Sequence, residues 1–284
     1  MTESKGWSTP GKGIFVPNVS TLIDKLEPGM YDPGYSPQVG YFLQRTELAN
    51  QKIIKFADST SEAVIKDIQN FWTVEDRFRK FKFPYKRGIL MFGPPGGGKS
   101  STIFLICKEV IKQNGIVLKF NRYDWFTGSL RLLKQVQPEM PVVALMEDLD
   151  EIISENSLSN ILNLLDGVEQ GADRIVYLAT TNRPDRLHEN IKNRPSRFDR
   201  KFQFGAPSLV ARKQYLESLF LEEKHSNDLN KWAKDSKGFS FAHLKELFIS
   251  VELFKNNYKD ALKVLKDMSK SAEELDEEML DDDD

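Results

Sequence analysis

The chain has 284 residues, a length that predicts about two domains. Apolar residues make up 40% and charged residues 29%, which predicts a buried core and excludes wholesale disorder. The longest apolar runs are Ile103–Cys107 and Val142–Met146. Both are far shorter than a membrane-spanning helix, which needs about 18 apolar residues. A single cysteine, Cys107, excludes an internal disulfide, and residues 1–13 lack the apolar stretch of a secretory signal. We therefore expect a cytoplasmic protein without a membrane span.

The net charge of −2 is unevenly distributed along the chain. Residues 271–284 hold nine acidic side chains and no basic one, so the remaining 270 residues carry a net charge of +7. This composition predicts a disordered, solvated acidic tail. A segment that binds a partner or masks a basic surface of the same chain is the alternative.

The N-terminal part is rich in turn-forming residues. Residues 1–27 contain Gly, Pro and Ser without a hydrophobic period, which predicts a flexible N-terminal arm. In residues 28–55 the turn formers Pro28-Gly29 and Asp32-Pro33-Gly34 interrupt short aromatic stretches, a pattern typical of a small β-hairpin or meander. A first amphipathic helix is predicted to begin near Ser59.

Strand-like and helical segments alternate in residues 56–206. This alternation predicts an α/β fold in three layers, with a parallel sheet between two layers of helices. After Pro207 the strand signal ends, and periodic apolar residues predict a small helical domain in residues 207–270. The predicted strands are Gly88–Phe92, Ile116–Phe120, Val142–Met146, Arg174–Ala179 and Lys201–Phe204, and the predicted helices cover residues 99–113, 128–137 and 157–169.

The most specific motif follows the first of these strands and opens the next helix. It matches the pattern G-x-x-x-x-G-K-[ST] of a phosphate-binding loop. Its glycines let main-chain N–H groups surround a phosphate, and the helix N-terminus adds partial positive charge. We expect Lys99 to reach the β- and γ-phosphates of a nucleoside triphosphate and Ser100 to ligate Mg²⁺. The residues assigned to the loop are Gly93, Pro94, Pro95, Gly96, Gly97, Gly98, Lys99, Ser100 and Ser101.

Acidic and polar side chains follow two later strands. Glu147 and Asp148 come directly after Val142–Met146, and the next strand ends in Thr180-Thr181-Asn182. Ligands gather at the carboxyl ends of parallel strands, so we expect these residues beside the phosphate loop. There a carboxylate holds the metal and a second group activates water. An acidic loop that is simply exposed after a buried strand is the alternative.

Two arginines, Arg194 and Arg197, lie beyond the last predicted core loop. They are candidates for arginine fingers, which a neighbouring subunit supplies to neutralise charge in the transition state. Such fingers change rates by about 10³–10⁵. Ordinary surface salt bridges are the alternative for both side chains.

Together these motifs resemble those of the AAA family of ATPases. The resemblance covers residues 56–270 and includes the segment Arg87-Gly-Ile-Leu-Met-Phe-Gly-Pro-Pro-Gly, the acidic pair, the Thr-Thr-Asn triplet and the arginine segment. Gly238-Phe-Ser resembles the start of the family's helical lid. The resemblance implies a nucleotide-binding domain in residues 56–206 and a lid in residues 207–270. It also implies ATP and Mg²⁺ as cofactors and hydrolysis at the subunit interfaces of a hexameric ring.

Within the family, the chain looks most similar to the branch of the mitochondrial ATPase that assembles respiratory complex III. That branch also has Glu-Asp in this order, here Glu147-Asp148, and a Leu-Asp-Gly-Val stretch, here Leu165–Val168. The resemblance implies that Glu147 and Ser100 face the metal and that Asp148 activates water, with Asn182, Arg194 and Arg197 as further catalytic residues. The membrane anchor of the mitochondrial protein has no counterpart in this chain, so its location and substrate do not carry over.

Three functions stay open at the level of sequence. The family resemblance favours a ring that remodels or disassembles a protein partner, with Trp125-Phe126-Thr127-Gly128 either as a pore loop or as ordinary packing. The basic body is compatible with a nucleic-acid motor or replication accessory, although no nucleic-acid-binding signature is present. A scaffold that binds ATP with weak turnover is compatible with the Glu-Asp order. A zinc protease is excluded for this sequence, because none of His188, His225 and His243 begins the motif H-E-x-x-H.

Overall fold

The computed structural model describes residues 6–11, 14–18, 25–48, 60–167, 173–192, 194, 196–220 and 226–269. Its strands are β1 (Gly6–Gly11), β2 (Ile14–Asn18), β3 (Gly29–Ser36), β4 (Gly40–Thr46), β5 (Lys86–Phe92), β6 (Ile116–Lys119), β7 (Val142–Met146), β8 (Ile175–Thr181) and β9 (Arg200–Gln203). Its helices are α1 (Thr60–Thr73), α2 (Glu75–Lys80), α3 (Lys99–Lys112), α4 (Tyr123–Val136), α5 (Leu149–Glu155), α6 (Leu158–Asp166), α7 (Glu189–Lys192), α8 (Leu209–Leu219), α9 (Ser226–Asp235), α10 (Phe241–Phe248) and α11 (Tyr258–Ser269).

Seven strands form one sheet in the order β4-β3-β6-β7-β8-β5-β9. Only β4 runs antiparallel to its neighbour. Strands β7 and β8 are buried along their whole length, as expected for parallel strands covered on both faces. Alternate residues of β7 belong to two separate core clusters, one on each face of the sheet. The predicted three-layer α/β fold is therefore confirmed.

The residues before α1 differ in two ways from the prediction. Strands β1 and β2 pair antiparallel, so part of the predicted arm has regular structure. Strands β3 and β4 form the predicted hairpin, but β3 also pairs in parallel with β6, which makes the hairpin an edge of the main sheet. Tyr31 of β3 is buried in the core, and the side-chain amide of Asn121 donates to the Pro33 carbonyl at 2.6 Å. A hairpin pattern specifies its own two strands but not the neighbour beside them.

One helix begins earlier than predicted, and another has no counterpart in the prediction. Helix α4 begins at Tyr123, whereas the prediction placed its start at residue 128. The prediction was too late because the first turn contains Asp124, Trp125 and Phe126, which are weak helix formers. Helix α5 was not predicted, since seven residues with an acidic start leave no clear helical period. Both helices lie directly after strands, and tertiary packing determines where they begin.

Four helices, α8 to α11, surround a third core at the C-terminal end, as the lid prediction expects. The acidic tail of residues 271–284 lies outside the described residues. Within the described ranges, no helix is long and apolar enough to cross a membrane. The side chains buried in the third core are Leu216, Trp232, Ala233, Phe239, Leu244, Leu247, Ala261 and Leu265.

Candidate nucleotide site

The phosphate loop connects β5 to α3 and lies close to Phe204, after β9, and to Ser240, before α10. Gly93, Gly96 and Gly98 have φ angles of 141°, 75° and 100°, which side chains other than glycine rarely adopt. A Cβ atom at Gly93 would lie 1.9 Å from the carbonyl oxygen of Phe204. The loop therefore requires glycine both for its backbone shape and for this close approach.

Lys99 at the start of α3 is buried, with 7% of its side chain exposed. Its ammonium group donates to the carbonyl oxygens of Gly93 at 2.6 Å and Pro94 at 2.9 Å. Burial lowers the pKa of Lys99, and the nearby Asp148 carboxylate acts in the opposite direction. The loop thus holds a cation at its centre, where a phosphate group would bind.

The acidic pair lies at the carboxyl end of β7, as predicted. Asp148 adopts a left-handed backbone conformation with φ of 51°, which is uncommon for residues other than glycine but tolerated by Asp. Its backbone N–H donates to the Thr180 hydroxyl at 3.2 Å, and the Asn182 amide donates to its carboxylate at 3.2 Å. The hydroxyl of Thr181 donates instead to Asp150 at 2.6 Å. The strand ends thereby fix the position of the Asp148 carboxylate.

These residues line one cleft of about 310 Å³. Most of the predicted site residues are brought together there, whereas Gly93, Pro94 and Gly97 form the loop without lining the cleft. The lid adds four residues that sequence reasoning missed, namely Tyr215, Phe241, Ala242 and Lys245. The remaining lining residues are Pro95, Gly96, Gly98, Lys99, Ser100, Ser101, Glu147, Asp148, Thr180 and Asn182.

The lid reaches the cleft because α10 begins against the phosphate loop. The N–H of Phe241 donates to the Gly96 carbonyl at 3.1 Å, and the hydroxyl of Ser240 caps the helix by accepting from the His243 N–H. The motif Gly238-Phe-Ser locates this helix start in the sequence. No sequence signal indicates that Lys245, a turn further on, faces the same cleft.

The donor groups of the cleft suit Mg²⁺. Ser100, Glu147 and Asp148 offer hydroxyl and carboxylate oxygens, the hard ligands that Mg²⁺ prefers. Mg²⁺ is usually held through one or two carboxylates together with substrate phosphates, rather than by a cage of protein ligands. The residues present therefore fit a Mg²⁺–nucleotide complex.

The two candidate arginine fingers lie outside the cleft and differ from each other. Arg197 is 4% exposed and pairs through two hydrogen bonds with Asp166, at 2.9 and 2.8 Å. A third N–H group donates to the Asn190 carbonyl. Arg194 is 62% exposed and lies 3.8 Å from the same Asp166 carboxylate. Of the two side chains, Arg194 is therefore exposed to solvent and Arg197 is buried.

The pore-loop candidate lies inside helix α4. Phe126 is fully buried, with its ring 5.2 Å from that of Phe120. Trp125 lies beneath the guanidinium of Arg122 at 4.8 Å. Gly128 faces the hairpin, where a Cβ atom would lie 2.4 Å from the ring of Tyr41. Of the two alternatives, ordinary packing is correct for Phe126.

Comparisons with known proteins agree with this geometry. Residues 89–206 match the ATPase family associated with various cellular activities (AAA). The matched range begins inside β5 and ends after β9, so it contains the phosphate loop, the acidic pair and both arginines.

Three relatives illustrate the range of similar proteins. A cell division cycle protein 48 homolog of Archaeoglobus fulgidus is 28% identical over 187 residues, which cover 60% of this chain and 25% of the relative. The ATP-dependent zinc metalloprotease FtsH 3 of Synechocystis is 26% identical over 231 residues, covering 72% and 36%. The ATPase histone chaperone abo1 of Schizosaccharomyces pombe is 24% identical over 282 residues, covering 87% and 23%. The chain thus spans 23–36% of the length of these relatives.

Proposed function

We propose that this chain is an ATP hydrolase of the AAA family that forms a homo-oligomeric ring of six subunits, as the match of residues 89–206 supports. The ring hydrolyses ATP at its subunit interfaces to remodel or disassemble a protein partner. The observation that carries this proposal is the composition of the cleft: among the described residues it contains lysines but no arginine, while Arg194 is exposed elsewhere on the chain. An arginine at the reacting phosphate is worth about 10³–10⁵ in rate. A neighbouring subunit that supplies Arg194 would complete the site.

The residues of the cleft divide the chemistry among them. Lys99 and the N–H groups of the loop would bind the phosphates, and Ser100 and Glu147 would hold the metal. Bound Mg²⁺ neutralises phosphate charge. Asp148 accepts a proton from the attacking water, and Asn182, already hydrogen bonded to Asp148, orients that water.

We assign different roles to the two arginines. Arg194 is the finger, because its side chain is exposed. Arg197 is a positioning residue, because its pair with Asp166 anchors the segment that carries Arg194 to the end of α6. Loss of either arginine should lower hydrolysis, but only loss of Arg197 should also lower stability.

A mixing experiment tests the ring and the finger together. Arg194→Ala subunits keep an intact cleft, and Lys99→Ala subunits keep an intact finger, so each variant alone should be inactive. Mixed in equal amounts, they should regain part of the wild-type turnover, because some interfaces then combine an intact cleft with an intact finger. Arg131→Ala, which removes another exposed arginine, is the control and should stay active. An inactive mixture, or an Arg194→Ala variant with normal turnover, would contradict the proposal.

The class of substrate is tested by a trap. Asp148→Asn should bind ATP and stall before hydrolysis, so it can capture its partner from extract of the source cell. The names of the relatives, which include a histone chaperone and a protease, support a protein partner. One protein captured with and without nuclease treatment is the expected result. Capture that disappears after nuclease treatment would favour a nucleic-acid motor instead.

The proposal extends to the family branch, the domain bounds and the location of the protein. The order Glu147-Asp148 and the stretch Leu165–Val168 support a place in the branch of the complex III assembly ATPase. We propose a lid in residues 207–270, an acidic tail in residues 271–284 and a cytoplasmic location. The hairpin of residues 28–55 then belongs to the same folding unit as residues 56–206, because β3 pairs with β6. Limited proteolysis should cut beside the lid and in the tail before it cuts within this unit.

A further inference from the structure

An ordered turn between α2 and β5 presents two phenylalanines to solvent. Phe81 is 65% exposed and Phe83 is 64% exposed. The N–H of Phe83 donates to the Phe78 carbonyl at 3.0 Å, and the ring of Tyr85 stacks on a buried ring of α1 with centroids 4.4 Å apart. Buried anchors therefore hold the segment at both ends. We call residues 77–85 the basic–aromatic loop.

Three cations accompany the exposed rings. Arg77, Lys80 and Lys82 are all exposed and form no ion pair with a residue in the part of the chain that the structure describes. Arg79 in the same segment differs, because it pairs with Glu75 and Asp173. Exposed apolar surface next to uncompensated positive charge is typical of a surface that binds an acidic, partly apolar partner.

The chain itself contains a segment with that chemistry. The tail, residues 271–284, carries nine carboxylates and no basic group, and its three large apolar side chains are Leu275, Met279 and Leu280. Residues 270–284 can extend over about 50 Å, which is close to the diameter of a compact domain of this size. We propose that this tail docks on the basic–aromatic loop of its own chain. Its carboxylates pair with the three cations, and its apolar side chains cover Phe81 and Phe83.

The covalent connection favours the tail over competing partners. A tethered segment acts at an effective concentration of about millimolar, so weak ion pairs and modest apolar contacts suffice to keep it bound. Aromatic rings between cations also suit single-stranded nucleic acid, which stacks its bases on such rings. A docked tail would exclude nucleic acid from the loop, so the two occupants give opposite results in one experiment.

Zero-length carbodiimide crosslinking of the full chain, read by mass spectrometry, tests the docking. The reagent joins a lysine to a carboxylate only when they touch. We expect links from Lys80 or Lys82 to carboxylates of residues 271–284, with a yield that falls as salt rises. Lys237 and Lys263 of the lid are also exposed and are closer to the tail in sequence, so they serve as internal controls. Tail links to these lid lysines instead of the loop would overturn the proposal.

A variant that keeps every lysine tests the apolar half of the contact. Phe81→Ser combined with Phe83→Ser should lower the yield of loop–tail links about fivefold. Phe254→Ser, which removes a 72% exposed phenylalanine of the lid, should leave the yield unchanged. An unchanged yield in the loop variant would contradict the docking. A second result would also contradict the docking: no loop–tail link forms, and a single-stranded oligonucleotide protects Lys80 and Lys82 from chemical modification. That result would assign the loop to nucleic acid.

Discussion

The two ends of the parallel sheet carry the same kinds of charge in opposite arrangements. At the carboxyl ends, Lys99, Glu147 and Asp148 border one cleft and form no ion pair with a described residue. At the amino ends, Arg79 and Arg174 are paired. Arg79 contacts Glu75 and Asp173 at 2.9 and 2.6 Å, and Arg174 contacts Glu75 and Glu139 at 2.8 and 2.5 Å.

This difference separates charges that stabilise the fold from charges that serve a ligand. The network at the amino ends connects α2 to the segments before β7 and β8, and its charges already have partners. In the cleft, the side chains of Lys99, Glu147 and Asp148 border the same space, and Asp148 adopts a backbone conformation that is uncommon for residues other than glycine. A ligand that binds these groups in the folded chain would stabilise that chain. The following predictions test this division, from the largest expected effect to the smallest.

Replacement of Lys99 should have the largest effect on activity. Lys99→Ala removes the cation that the loop offers to the phosphates, so we expect ATP turnover to fall by about 10³-fold or more. A steady-state phosphate-release assay measures this. Lys112→Ala, at the exposed opposite end of α3, should keep wild-type turnover. Normal turnover in Lys99→Ala would show that hydrolysis does not occur in this cleft.

Replacement of Asp148 should separate hydrolysis from binding. Asp148→Asn should lower single-turnover hydrolysis by about 10²–10⁴-fold, because the amide accepts no proton from water. Asn tolerates the φ angle of 51°, so ATP binding, measured with a fluorescent nucleotide, should persist. Glu151→Gln, an exposed neighbour, is the matched control. Loss of ATP binding in Asp148→Asn would instead place this carboxylate on the metal.

Breaking the Asp166–Arg197 pair should affect stability. Asp166→Ala leaves the Arg197 guanidinium buried without its carboxylate, which we expect to lower the free energy of unfolding by about 3 kcal/mol. Urea denaturation measures this difference. Asp185, between β8 and α7, is an exposed carboxylate, so Asp185→Ala should change stability far less. Equal effects of the two substitutions would remove the anchoring role of Arg197.

The same pair should make stability depend on pH. The hydrogen bond from Arg197 holds the pKa of Asp166 below its usual value. The contribution of Asp166 is therefore fully present above the pKa of the unfolded chain, about 4, and is lost as the pH falls through the lower pKa of the folded state. Unfolding curves of wild type and Asp166→Asn should converge over this acidic range. Curves that stay parallel would contradict the assignment.

The network at the amino ends should give the smallest effect. Arg79→Ala removes a partly exposed ion pair, so we expect less than about 1 kcal/mol of destabilisation, decreasing further at high salt. ATP turnover at saturating nucleotide should stay at the wild-type level. A large loss of turnover would show that the two ends of the sheet are coupled and that the division between them is too simple.

Much of the fold and the site could be predicted because the signals are local. The spacing of the loop from Gly93 to Ser100, with a strand before it and an apolar helix after it, predicts the phosphate loop, and an unbroken apolar run predicts the strand Val142–Met146. The position of Glu147 and Asp148 beside the loop follows from a general rule for parallel sheets. The predicted start of α4 is wrong, because the aromatic first turn is helical through its packing on the sheet and not through its helix propensity.

The sequence by itself determined the phosphate loop, the acidic pair and the α/β alternation, because each depends on residue types at short, regular spacing. The tertiary structure alone decided that the hairpin extends the sheet, that Lys245 faces the cleft and that Arg197 turns inward to Asp166. These contacts join residues that lie far apart in the chain. Their partners are selected by packing and by the pairing of buried charge, which no local pattern encodes.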